Sequence, residues 1–198
     1  MTRSIDLGWI PLSGSLQGKL DLYASLLLEW NKKIRLTGFS TPDEVRRHLI
    51  LDSLLAFELL HERLPAEIID FGSGNGTPGL LFAILAPNHR ITLLERIEKK
   101  RIFIEYAASR LGLSNTRTLP SLSCPTISPF ILMKAITLDD LFSDPAIRKN
   151  TVPPCNLFRF GHDSHSACIP VSSYAITGGV HSWGETKTIS LTESIFQG

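Results

Sequence analysis

The sequence predicts an α/β domain with a central, mostly parallel sheet and a helical amino-terminal layer. Three observations carry this. Residues 70–80, DFGSGNGTPGL, place four glycines directly after the apolar run EIIDF, as at a strand–turn–helix junction. A second apolar run, RITLLE at 90–95, ends on an acid. Between and after them, short apolar runs alternate with segments of helical period, the pattern of a parallel sheet covered on both faces.

In order along the chain, Leu16, Leu20, Tyr23, Leu27, Trp30 and Ile34 recur every three or four residues and predict a helix over 16–36. Thr41-Pro42-Asp43-Glu44 reads as a helix start, with Thr41 as cap and Glu44 closing a capping box. That helix runs to about Leu60, and Pro65 stops it. Residues 67–71 read as a buried strand, 79–85 as a helix ended by Pro87, and 90–95 as the second strand. Residues 98–111 carry Ile102, Phe103, Tyr106 and Leu111 on one helical face, and Gly112 terminates them. Residues 116–119 and 130–135 are further strands. Beyond Pro120 the pattern fades. Residues 174–177 and 186–191 read as strands around a Gly178-Gly179 turn. The expected organisation is a single domain: a helical layer at 1–64, an α/β core at 65–142 and a divergent C-terminal part at 143–198.

The 198 residues suffice for one domain with a full core, and 43% hydrophobic with 20% charged residues is the composition of a soluble globular chain. A net charge of +1 neither advertises nor excludes a local basic patch. No apolar run approaches the ~20 residues that span a bilayer, and the first residues lack the apolar core of a signal peptide. The expectation is a cytoplasmic protein without membrane contact. Three cysteines make no disulfide framework.

Two ligand classes use a glycine turn between strand and helix. A dinucleotide rests its pyrophosphate on the helix start, and Gly74-x-Gly76-x-x-Gly79 matches that pattern literally. S-adenosylmethionine has no phosphate, but it has a cationic sulfur and a zwitterionic end that suit a nearby carboxylate. The wider frame Asp70-x-Gly72-x-Gly74-x-Gly76 favours the latter, with Asp70 facing the ligand. Glu95, at the end of the second strand, suits the ribose hydroxyls of either.

Four blocks then resemble the RsmG (GidB) family of bacterial methyltransferases that modify a guanine of 16S ribosomal RNA. They are EWNKKIRLT at 29–37, RHLILDSL at 47–54, the glycine turn with its Pro-Gly ending, and Leu93-Leu94-Glu95 with Lys99-Lys100-Arg101. The resemblance implies a Rossmann-like fold, S-adenosylmethionine as cofactor and methyl transfer to guanine N7. The partner is 16S ribosomal RNA or the small ribosomal subunit, and the chain is expected as a monomer. It implies cofactor contacts at Asp70, Gly72, Ser73, Gly74, Gly76, Pro78 and Glu95. RNA contacts are expected at Arg46, Arg47, Lys99, Lys100 and Arg101. N7 carries a free lone pair, so catalysis rests on positioning and assigns no general base. His48, Asp52 and Lys134 are candidates beside the reacting groups, His48 and Asp52 equally as a hydrogen-bonded pair inside the helical layer.

The chain departs from the family after Leu119. LPSLSCPTISP at 119–129 has neither the arginine nor the acid of the family's segment near the adenine, and Lys134 replaces the arginine of an Arg-Ala-Val-like motif. Two alternatives therefore stand beside the active enzyme: a degenerate member that binds cofactor or RNA without turnover, and an NAD-dependent oxidoreductase. The order Cys155-x6-His162-x2-His165-x2-Cys168 could hold zinc but matches no familiar spacing, and no metal is assigned.

Overall fold

The computed structural model describes residues 2–122, 126–127, 130–152, 155–160 and 168–196. Its strands are β1 (Thr2–Ile10), β2 (Glu67–Phe71), β3 (Arg90–Leu94), β4 (Thr116–Leu119), β5 (Thr126–Ile127), β6 (Phe130–Met133), β7 (Thr151–Val152), β8 (Cys155–Phe160), β9 (Cys168–Val180) and β10 (Glu185–Phe196). Its α-helices are α1 (Gly14–Asn31), α2 (Pro42–Val45), α3 (Leu51–Leu60), α4 (Gly79–Leu85), α5 (Glu98–Arg110), α6 (Leu138–Ser143) and α7 (Pro145–Asn150). A π-helical turn, Arg46–Ile50, joins α2 to α3.

Eight strands form one sheet in the order β1-β9-β10-β8-β6-β2-β3-β4, and β5 pairs with β7 apart from it. All pairings in the large sheet are parallel except the two made by β10. Side chains alternate across it, as the pleat requires. Ile68, Phe130, Leu132 and Phe158 join the core under α1, α3, α4 and α5. Ile69, Ile131, Met133 and Leu157 join a smaller core under α6 and α7.

The elements from α2 to β6 follow the sequence reading closely, including the capping box of Thr41 and Glu44. The two ends of the chain depart from it. Residues 2–10 are not part of a helical layer but an edge strand. Gly8, at φ +60°, sits in a bulge that shifts the register between Asp6 and Trp9, so Ile10 turns inward while Trp9 stays exposed. That bulge breaks the alternation that marks a strand in sequence. The first helix ends at Asn31 rather than 36, because the Asn31 side chain accepts the N–H groups of Leu36 and Thr37 and turns the chain.

Gly178-Gly179 is no turn. Both lie inside β9, and the chain reverses at His181–Gly184, where Gly184 takes φ +66°. A Cβ at Gly178 would stand 2.7 Å from Leu55 Cδ2 and 3.2 Å from the Gly8 carbonyl, so this glycine serves the close approach of α3 and β1. The C-terminal residues are no appendage: β8, β9 and β10 continue the sheet beyond β6. Arg63 ties β10 to the helical layer through an ion pair to the buried Glu193, which also accepts from the Tyr174 hydroxyl.

Candidate functional site

The sheet reverses its strand order between β2 and β6, and in open α/β sheets ligands bind beyond the carboxyl ends of the strands at such a point. A cavity of about 370 Å³ opens there. Gly72 and Glu95 line it together with Leu94, Pro120, Leu122, Ile136 and Asp140. Its size is that of a small-molecule site.

The glycine turn is held from every side. Gly72 and Ser73 both donate backbone N–H to the Leu94 carbonyl at 2.9 Å. The Gly74 N–H donates to Glu95 Oε2 at 2.9 Å, and the Ile97 N–H to Glu95 Oε1 at 2.8 Å. From α1, the fully buried Tyr23 donates its hydroxyl to the Asn75 carbonyl at 3.0 Å, and burial raises that phenol so that it stays protonated. Gly72, Gly74 and Gly76 all have positive φ. A Cβ on Gly72 would fall 2.7 Å from Ile136 Cγ1 across the cavity wall.

Asp70 is 1% exposed and does not line the cavity. Its Oδ2 accepts the Gly79 N–H at the start of α4 at 3.0 Å, while Oδ1 is buried without a partner. Burial pushes its carboxyl up to about 7 from 3.8, against the stabilising hydrogen bond from the Gly79 N–H. A carboxylate on the helix start competes with any phosphate for that position. The dinucleotide reading loses its physical basis here.

This burial makes a pH prediction. Between pH 3.8 and about 7 the folded chain keeps a proton on Asp70 that the unfolded chain has released. Stability from this group is therefore full below the lower value and lost as pH rises through the upper one, by at most ~4 kcal/mol. In Asp70→Asn that loss is absent. Urea melts at pH 5 and pH 8 should show wild type losing more stability than the variant. Equal losses would mean that Asp70 is ionised throughout.

The remaining candidates separate. Asp52 does not bond His48: it pairs with Lys134 at 2.8 Å and Lys187 at 2.5 Å, while the His48 ring stacks on Phe39. Burial lowers the Lys134 ammonium and the Asp52 charge opposes that. Arg46 is tied to Asp21 and Asp43 at 2.7 and 2.8 Å. Arg101 donates to the carbonyls of Glu95 and Arg96, closing the end of β3. Arg47 and Lys99 are exposed and Lys100 is half-buried; Lys99 and Lys100 lie in the first turn of α5, and none of the three lines the cavity. Ser73 donates its hydroxyl to the Asp70 carbonyl, and Pro78 precedes α4; neither lines the cavity.

Ile136, Leu122 and Asp140 escaped the sequence reading. The signal for Asp140 was present as Thr137-x-x-Asp140, a capping box at the start of α6 that the structure contains. Of the possible zinc set, His162 and His165 lie outside the described residues. Cys155 and Cys168 fall opposite Phe196 from its two sides in the sheet register. Among the described residues no group of histidine, cysteine and acids is arranged for a metal, and no helix is long and apolar enough to cross a membrane.

Residues 16–121, more than half of the chain, match the family model described as GidB, rRNA small subunit methyltransferase G. The chain belongs to this family. The relative from Clostridium beijerinckii, named Ribosomal RNA small subunit methyltransferase G, is 34% identical over 121 residues, 61% of this chain and 51% of its own. The relative of the same name from Wolinella succinogenes is 40% identical over 107 residues, 54% of this chain and 53% of its own. The chain thus spans about half the length of the curated relatives it matches. Among solved structures, an S-adenosylmethionine-dependent methyltransferase from Aquifex aeolicus aligns with a TM-score of 0.55 at 10% identity, over 87% of this chain and 98% of its own. The O-methyltransferase TomG from Streptomyces achromogenes aligns with a TM-score of 0.52 at 13% identity, over 96% of this chain and 92% of its own. At these identities the likeness shows the fold, a Rossmann-like methyltransferase sheet. It extends past the residues matched by the GidB model into the C-terminal strands.

Proposed function

We propose that this GidB-family chain transfers a methyl group from S-adenosylmethionine to N7 of a guanine in 16S ribosomal RNA. One observation carries the cofactor assignment: the cavity at the switch point has Glu95 on its wall while Asp70 occupies the start of α4. An acid by the ribose and no free phosphate cradle suit a nucleoside cofactor that lacks phosphate. Leu122 and Ile136 give the cavity apolar walls for a flat adenine, and Gly72 lets the ligand approach bare backbone. Asp70, buried behind the turn and bonded to the Gly79 N–H, holds the loop rather than lining the cavity.

The cofactor, when bound, supplies an electrophilic methyl on a sulfonium. The chain's residues align rather than activate, since guanine N7 needs no deprotonation. Lys99 and Lys100, in the first turn of α5, suit the RNA backbone. Arg46 and Arg101 are spent on internal bonds and serve the fold instead. The partner is the small ribosomal subunit, met by a monomeric, cytoplasmic protein.

Calorimetric titration with S-adenosylhomocysteine and methyl transfer to unmodified 30S subunits test this. Micromolar binding with transfer is the expected result. Binding without transfer would identify the degenerate form of the family, and no binding by a folded chain would overturn the cofactor assignment.

A further inference from the structure

A second built feature, linked to the cavity wall through residues 134–136, is not used by the cofactor reading. In the π turn Arg46–Ile50, the Leu51 N–H bonds to the Arg46 carbonyl five residues back. π turns inside helices occur frequently at functional sites. Two lysines brace this one, Lys187 from β10 and Lys134 from just after β6. Lys134 donates to the His48 carbonyl at 2.8 Å, and Lys187 donates to the Arg47 carbonyl at 3.1 Å. Asp52 holds both ammonium groups, Lys134 through Oδ2 and Lys187 through Oδ1.

The braced turn carries the His48 ring, which lies nearly parallel to Phe39, with centroids 4.8 Å apart and planes inclined by 13°. Both residues are half-buried, and Phe39 packs against the edge of the main core. Lys134 also directly follows β6, and Ile136, two residues on, forms the cavity wall against Gly72. Between them Ala135 holds φ +59°, a left-handed conformation that a side chain adopts at a cost and that clusters at functional sites. The stacked pair and the cavity are therefore attached to the two ends of one three-residue segment.

We propose that the Phe39–His48 pair is the platform on which the target purine stacks, and that Lys134, Asp52 and Lys187 are positioning residues that hold it. This rests on the RNA-methyltransferase reading. Every base offers a π face, and single-stranded nucleic acid is commonly held by aromatic stacking beside positive charge. The two ammonium groups bond the carbonyls of the turn itself and so fix the backbone that carries the His48 ring. The arrangement also gives Lys134 a role as a brace rather than as the fork-shaped contact an arginine would make.

The probe is a single-stranded oligouridylate carrying one 2-aminopurine, whose fluorescence falls when it stacks. Wild type should quench it on binding. Phe39→Leu and His48→Leu, each retaining the wild-type melting temperature, should reduce binding about tenfold and lose the quench. Lys187→Met should weaken the quench and Lys187→Arg should restore it. A wild-type protein that gives no quench overturns the platform, as do two ring variants that quench like wild type. The quench needs neither cofactor nor turnover. Failure of methyl transfer with the quench intact therefore counts against the proposed reaction and not against the platform.

Discussion

Gly72→Ala should lower the affinity for S-adenosylhomocysteine by at least a hundredfold in calorimetric titration. Two costs combine. At φ +72° a side chain pays the left-handed penalty of ~1–2 kcal/mol. The new methyl would also stand 2.7 and 2.8 Å from Ile136 Cγ1 and Cδ1, so Ile136 must move, and it is itself a wall of the cavity. Gly74→Ala is the control. Its φ of +55° imposes a similar penalty, but its Cβ would meet only the Gly72 carbonyl at an ordinary 3.6 Å. It should cost about tenfold. If the two variants bind alike, Ile136 is not a wall of the occupied site.

The second large effect is expected from Glu95→Gln, some thirtyfold or more in the same titration. Both carboxylate oxygens accept backbone N–H groups, from Gly74 and from Ile97. A glutamine keeps one acceptor and turns a donor toward the other N–H. A mismatched buried polar pair costs ~1–3 kcal/mol, and Glu95 is only 6% exposed. The loop then loosens at a residue that lines the cavity. An affinity within twofold of wild type, with an unchanged melting temperature, would show that Glu95 neither contacts the cofactor nor shapes its loop. Glu95→Asp should recover little, because the shorter side chain cannot reach both N–H groups.

The strand–turn–helix junction at residues 67–85 was legible in the sequence, since four closely spaced glycines between an apolar strand and an apolar helix are a local pattern. Strands β2, β3 and β6 and helices α3 to α5 were legible for the same reason: their cores are apolar runs bounded by Gly, Pro or a cap. Strand β1 was not, because the bulge at Gly8 reverses the parity of its side chains and most of them face solvent. The Gly178-Gly179 pair misled because a glycine that admits a neighbouring backbone looks, in sequence, like one that turns.

Within the site, residue type alone picked out Gly72 and Glu95, which line the cavity. It could not tell which charges were already spent. Asp70 turns to the Gly79 N–H, Arg46 to Asp21 and Asp43, Arg101 to two carbonyls, and Asp52 to two distant lysines. Those partners lie as far as 135 residues away in the chain, as for Asp52 and Lys187. By itself the sequence determined the sheet's centre, the position of the glycine turn and the acid that closes β3, because each depends on neighbours in the chain. Only the tertiary structure decided which polar groups remain open to a ligand, because hydrogen bonds and ion pairs are settled by what the fold brings within about 3 Å.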